Sequence, residues 1–254
     1  MKYSAIKRAL KILLLSVAVV FVLLIVGCRS IERRLLFFPS HSGSDGGLEK
    51  WIVNGELIGF SRPVQSARNV WLLLHGNGGQ ASDRTYALDH FSEDDAVFIL
   101  EYPGYGKRAG VPSRSSLNTA AEEAYRELRN EFPTTPVCVA SESIGSGPAC
   151  HLATIDPPPD KLVLVVPFDS MALVAREHVP RPIVWLLLHQ KWDNVANLKN
   201  YKGRVDIFAA TNDVIIPPRH ARALADSITN STFTMVDGGH NDWSLDPRMK
   251  IRNP

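Results

Sequence analysis

Pro136 to Cys150 reads PVCVASESIGSGPAC: an apolar run (Val137-Cys138-Val139-Ala140), a serine-rich turn, then small residues that can open a helix. A serine on a sharp strand-to-helix turn is pushed out of the backbone plane, its hydroxyl exposed above the strand ends, which is the physical point of the pattern G-x-S-x-G. Small residues are needed two before and two after that serine because the helix doubles back close to the strand. Here the five residues are Ser141-Glu142-Ser143-Ile144-Gly145, with serine in place of the leading glycine. Ser141 and Ser146 are poorer candidates, since neither has a small residue on both flanks. Read alone, the segment is equally a serine- and glycine-rich turn of any α/β protein. The rest of the chain must supply a base, an acid and an oxyanion site in a workable order.

Working outward, near-continuous apolar runs at Val70–Leu74, Ala96–Leu100, Val137–Ala140 and Leu162–Val166 read as fully buried parallel strands. Asp206–Ala210 and Phe233–Val236 make two more, and Lys50–Val53 and Leu57–Phe60, joined through Asn54-Gly55, read as an edge hairpin. Helical stretches at Asn118–Asn130 and Arg219–Ile228 lie between strands, which predicts an α/β architecture: an eight-stranded, mostly parallel sheet with helices on both faces. Chemistry in such sheets gathers at the carboxyl ends of the strands.

Several loops follow strand ends. His75-Gly76-Asn77-Gly78-Gly79 lets backbone N–H groups turn toward a ligand, as an oxyanion hole requires, while lacking the lysine of a P-loop and the G-x-G-x-x-G spacing. His75 itself reads as a turn-stabilising hydrogen bonder. Glu101-Tyr102-Pro103-Gly104-Tyr105-Gly106 is a rigid aromatic loop, either a pocket wall or a tight turn. Asp169 follows the sixth strand, Asp213 the seventh and His240 the eighth. The order is therefore serine, acid, histidine. A serine hydroxyl is barely ionised at neutral pH, so a histidine must take its proton during attack, and a carboxylate on the far ring nitrogen fixes the imidazole tautomer. Either aspartate, or His240, is unremarked alone; in this order the three point to nucleophilic catalysis.

The chain opens on Lys2, Lys7, Arg8 and Lys11 with no acid, followed by the uncharged apolar run Ile12–Cys28. The run is long for a signal-peptide core and short for a spanning helix, and it ends Leu24-Ile25-Val26-Gly27-Cys28, which resembles a bacterial lipobox with Cys28 as the acylated residue. Either a cleaved, lipidated Cys28 or an uncleaved helix holds the protein at a membrane, with the body predicted on the extracytoplasmic (periplasmic) side. Without residues 1–27 the formal charge moves from +2 to −2, and no basic run with interleaved aromatics is present, which argues against nucleic acid as a partner. Cys138 and Cys150 read as buried apolar residues, with no disulfide framework and no metal-ligand spacing. Residues 1–28 are thus an anchor, 29–47 a connector and 48–254 one domain, within which 169–204 is the only room for a lid.

The segments RLLFFPS, LLLHGNGG, EYPGYGKRAGVPS, SESIGSG, VPFDSM, TNDVIIP and GGHND together resemble the α/β-hydrolases of the small-lidded, serine aminopeptidase-like branch, and within it the membrane-anchored ABHD-type acyl hydrolases. The resemblance covers residues 48–244 and implies the α/β-hydrolase fold. It implies Ser143 as nucleophile, His240 as general base and acid, Asp213 as the orienting carboxylate, and the backbone N–H groups of Asn77 and Ile144 as the oxyanion hole. Asp169 is the competing acid, because some members of the superfamily place the carboxylate there. Two departures stand out: Ser141 for glycine, and little sequence between Trp243 and Pro254 for a further helix behind His240. No cofactor and no metal are implied.

The expected activity is that of a membrane-associated serine hydrolase, an esterase, thioesterase or lipase-like enzyme acting through an acyl-enzyme. A small lid and a tether favour small-molecule or lipid esters and thioesters with an acyl chain. The aminopeptidase label of the branch carries no activity here, as nothing supplies an amine-binding charge. The alternative is a non-catalytic, membrane-tethered binding protein on the same fold, which would not need Ser143, Asp213 and His240 to converge.

Overall fold

The runs at Val70–Leu74, Ala96–Leu100, Val137–Ala140, Leu162–Val166 and Asp206–Ala210 are buried nearly end to end, which only a sheet covered on both faces permits, whereas the Phe233–Val236 run is only half-buried. In a computed structural model of the chain, which describes residues 27, 30–42 and 44–251, the strands are β1 (Phe38–Pro39), β2 (Glu49–Val53), β3 (Glu56–Arg62), β4 (Asn69–Leu74), β5 (Gly78–Gly79), β6 (Asp95–Leu100), β7 (Val137–Glu142), β8 (Lys161–Val165), β9 (Arg204–Ala210) and β10 (Ser231–Val236). Eight of them form one sheet in the order β10-β9-β8-β7-β4-β6-β3-β2, parallel except for β2 and β3 at one edge. This is the predicted eight-stranded, mostly parallel sheet. The β2–β3 hairpin turns at Asn54 and Gly55, both at positive φ (50° and 82°), as a two-residue turn matched to strand twist requires. Apart from Gly27, the predicted anchor, Cys28 included, lies outside the described residues; among those described, no helix is long and apolar enough to cross a membrane.

One face of the sheet carries α1 (Arg114–Glu131), α2 (Ser146–Leu152) and α6 (Pro218–Asp226) over a core built around Val70, Leu72, Val139, Leu164 and Ile207. Between β8 and β9 the chain forms three short helices, α3 (Met171–His178), α4 (Arg181–Leu187) and α5 (Asn194–Leu198). The α1 helix starts earlier than its apolar periodicity suggests. Ser113 caps it, accepting the Ser116 N–H at 3.1 Å while the Ser116 hydroxyl accepts the Ser113 N–H at 2.9 Å, so the serine-rich turn is the first turn of the helix.

The other face is covered differently. A 3₁₀ segment, Ala81–His90, and the stretch from Trp243 to Ile251 pack over Trp71, Leu73, Ile99 and Ala140. The Ile251 N–H donates to His90 O at 2.9 Å, the His90 ring meets Met249 O at 3.0 Å, and Trp243 sits between the Tyr86 and His90 rings. Extended chain and a 3₁₀ turn therefore supply packing beyond His240. Cys138 and Cys150 are buried and unpaired, as their apolar surroundings predict, and burial pushes the Cys138 thiol up to about 12.

Candidate active site

Ser143 follows the last residue of β7 at φ +53°, a conformation uncommon for a residue other than glycine or asparagine. A tertiary constraint is visible two residues on: a Cβ built on Gly145 would lie 2.1 Å from Leu74 O and 2.8 Å from His75 O. The α2 helix thus runs against the end of β4, and only glycine fits that crossing. Gly147 serves the next turn in the same way, since a Cβ there would lie 2.7 Å from the Trp192 ring. Ser141, in the leading small position, is a strand residue paired with Leu74 and Leu164. It is fully buried, and its hydroxyl has no hydrogen-bond partner among the described residues.

His240 and Asp213 reach Ser143 because the ladder between β9 and β10 continues past the strands. The Thr211 N–H donates to Val236 O and the Asn212 N–H to Gly238 O, both at 2.9 Å, which brings the two loops side by side. Gly238, at φ +106°, turns the chain so that His240 faces Ser143. His240 Nε2 lies 2.8 Å from Ser143 Oγ and His240 Nδ1 lies 2.6 Å from Asp213 Oδ2. The second Asp213 oxygen accepts the N–H groups of Ile215 (2.9 Å) and Ile216 (2.8 Å), so the buried carboxylate is satisfied as an anion and held in one orientation. With the carboxylate on Nδ1, the Nδ1–H tautomer leaves Nε2 as the acceptor for the serine proton.

Asp169, the competing acid, is engaged elsewhere. Its Oδ1 lies 2.9 Å from His220 Nδ1, and His220 Nε2 lies 3.3 Å from Glu177 on α3. Of the two aspartates, the one beside His240 is Asp213.

A cavity of about 590 Å³ opens over Ser143. Asn77, Ile144 and His240 line it together with Ser143, so the predicted oxyanion residues and the Ser143–His240 pair share one space. The Asn77 side chain points away from that role: its Oδ1 accepts the Phe38 N–H at 3.2 Å and the Tyr105 hydroxyl at 3.1 Å, which fastens the glycine loop from behind. Tyr102 and Tyr105 are both buried and pack on the His75 ring. The aromatic loop after β6 is therefore a support for the glycine loop rather than a cavity wall. His75 is fully buried with its Nδ1 2.7 Å from Gly76 O, a turn-stabilising position.

Other contributors were not legible in the sequence. Leu35, Leu36 and Phe38, read as part of a connector, line the cavity, and β1 pairs in parallel with β5 in the glycine loop. Glu142, adjacent to Ser143, packs its carboxyl against Gly76 and accepts the Tyr86 hydroxyl at 3.0 Å, while Arg84 donates to that hydroxyl at 3.2 Å. Burial disfavours the charged Arg84 guanidinium, but Glu142 and Tyr86 outweigh it and hold the group above its ordinary range. The only sequence signal for this chain of contacts is the charge at Glu142 beside the turn. From the lid region, Met171, Val174 and His178 of α3 reach the cavity, whereas Trp192 is a core residue whose indole N–H donates to Asn118.

The comparison with solved structures matches this architecture. A Thermus thermophilus protein, TT1662, superposes with a TM-score of 0.61 at 19% identity, covering 78% of this chain and 92% of that one. An alpha-beta hydrolase of Vibrio vulnificus superposes with a TM-score of 0.60 at 21% identity, covering 74% of this chain and 75% of that one. The fold is therefore that of the α/β-hydrolases. No family model matches the chain. In sequence, the hydrolase-fold chain is 29% identical over 235 residues to the uncharacterized protein Rv2307c of Mycobacterium tuberculosis, with 85% of this chain and 83% of the relative covered. It is 25% identical over 193 residues to the lysophosphatidylserine lipase ABHD12 of Danio rerio, an ABHD-like relationship that covers 68% of this chain. The chain spans half the length of that lipase.

Proposed function

We propose that this chain is a membrane-associated serine hydrolase that cleaves carboxylic esters or thioesters bearing an acyl chain. The observation that carries the reading is the Ser143–His240–Asp213 line, at 2.8 and 2.6 Å, at one wall of a cavity lined by Leu35, Leu36, Phe168, Met171 and Ile216. His240 Nε2 takes the Ser143 proton as Oγ attacks the acyl carbonyl, and the imidazolium is stabilised by Asp213. The Asn77 and Ile144 N–H groups receive the developing oxyanion. Collapse expels the alcohol or thiol, protonated by His240, and leaves an acyl-Ser143 ester. Water, deprotonated by His240, then attacks that ester and releases the acid. The relative's name, lysophosphatidylserine lipase, makes a single-chain phospholipid ester a natural first substrate. The apolar run Ile12–Cys28, spanning or ending in a lipidated Cys28, tethers the 48–254 body, and residues 169–204 act as its small lid.

The test is labelling of the detergent-solubilised chain with a fluorophosphonate probe beside Ser143→Ala. Labelling is expected for the wild type and lost in the variant, with ester turnover falling at least about a thousand-fold. A folded wild type that neither labels nor turns over esters would refute the reading.

A further inference from the structure

Leu35, Phe38 and Ile215 at the cavity, and Val214, Trp185 and Leu186 on the segments next to them, are apolar side chains that the body leaves uncovered. Leu35 (69% exposed) and Phe38 (56%) come from the segment that follows the apolar run Ile12–Cys28, and both also line the cavity. Val214 (81%) and Ile215 (47%) come from the loop that holds Asp213, and Ile215 is a cavity residue too. Trp185 (79%) and Leu186 (65%) lie on α4, a helix that buries little beyond Val184.

Hydrogen bonds tie these segments to one another. Glu32 Oε1 accepts the N–H groups of His189 (2.5 Å) and Gln190 (2.8 Å), which pins the N-terminal segment to the chain just past α4. The His178 ring, on the cavity-lining α3, lies 2.9 Å from Ile215 O. The same segments carry charge. Arg34, Arg176 and Arg181 are exposed on these segments, while the acids nearby are already engaged: Glu32 as above, and Glu177 with Arg219 and His220. Exposed apolar side chains with cationic neighbours are the composition of a surface that enters an anionic lipid interface.

We propose that this rim docks onto a lipid bilayer, so that the cavity opens into the membrane and takes its acyl substrate from the lipid phase. The chain that precedes residue 30 argues for this occupant: the uncharged apolar run reaches residue 28, and Leu35, Leu36 and Phe38, a short way further along, line the cavity. The rim would therefore lie within a few residues' reach of the bilayer that the run enters. The proposal rests on the hydrolase reading for what enters the cavity, but not for the docking itself.

Trp185 is a built-in reporter, because Trp51, Trp71, Trp192 and Trp243 are all buried. The full chain is reconstituted in vesicles of phosphatidylcholine and phosphatidylglycerol, with or without bromine on the acyl chains, and the Trp185 signal is taken as the difference from Trp185→Phe. Brominated lipid is expected to quench that difference signal at least two-fold and to leave Trp185→Phe itself unchanged. A chain that fails to float with the vesicles, or a Trp185 signal untouched by bromine, overturns the proposal. A second measurement separates it from the hydrolase reading. The double variant Trp185→Asp, Leu186→Asp should keep its rate on a water-soluble butyrate ester and lose about ten-fold on a long-chain ester embedded in vesicles. Equal losses on both esters overturn docking, whereas quenching without any ester turnover retires the hydrolase reading and leaves docking standing.

Discussion

Ser141 shows how little of a motif is chemistry and how much is space. The leading position of the elbow must be small, and serine meets that demand, but it brings a hydroxyl into a fully buried strand with no partner among the described residues. A buried, unsatisfied hydroxyl costs about 1–3 kcal/mol. Ser141→Ala is therefore expected to raise the unfolding free energy by about 1 kcal/mol in a urea titration, with fluorophosphonate labelling retained. Gly145 is the opposite case. Its missing Cβ is where Leu74 O approaches, so Gly145→Ala is expected to cost several kcal/mol, about 3 or more, or to abolish soluble expression. Asp213→Asn keeps the shape and removes the charge that steadies imidazolium. Turnover should fall about 10³–10⁴-fold with thermal stability nearly unchanged.

Individual elements are held in register by polar contacts that the apolar pattern does not encode. Lys161, fully buried on β8, meets Asp206 of β9 at 2.6 Å, and the Thr232 hydroxyl of β10 donates to the same carboxylate at 2.6 Å. Burial works against the Asp206 charge, but the Lys161 ammonium and the Thr232 hydroxyl outweigh it and hold the carboxyl below its ordinary range. The unfolded chain thus binds this proton more readily than the folded one. The stabilisation is fully present above the ordinary carboxylate range and is lost as pH falls below about 4. Asp206→Asn removes the charge that meets the Lys161 ammonium at 2.6 Å and should cost about 3–5 kcal/mol at neutral pH, with the acid limb of the pH–stability curve flattened. The glycine loop is a second such element. Asn77→Ala removes the acceptor shared by Phe38 N–H and the Tyr105 hydroxyl, freeing the loop whose backbone is proposed to hold the oxyanion. A ten- to hundred-fold loss of labelling rate is expected, with a small change in melting temperature.

Across the whole molecule, the cavity is assembled from distant parts of the chain: the segment before the sheet, the glycine loop, the elbow, α3 and the loops after β9 and β10. Its volume is open to a single substitution on the wall that is least embedded in the core. Leu36, half-buried on the N-terminal segment, lines the space, so Leu36→Trp is expected to shorten the preferred acyl chain and lower the relative turnover of long esters about ten-fold against a butyrate ester. A chain-length series on the solubilised protein checks this.

Much of this was legible before any coordinates. Strand number, mostly parallel pairing, the Asn54-Gly55 turn, the elbow at Ser143 and the serine–acid–histidine order all follow from residue periodicity and local turn chemistry, which act over a few positions. What could not be read locally came from contacts across tens of residues. Ser143 and His240 lie 97 positions apart in the chain, and the 2.8 Å contact between them forms only because the β9–β10 ladder runs past its strands. The same ladder sets Asp213 beside His240, while Asp169 is paired with His220 on α6, a choice that two aspartates after two strands leave open in sequence. A connector became a cavity wall for the same reason. Phe38 and Pro39 carry no strand pattern of their own, and they form one only by pairing with the backbone of Gly78 and Gly79, far along the chain.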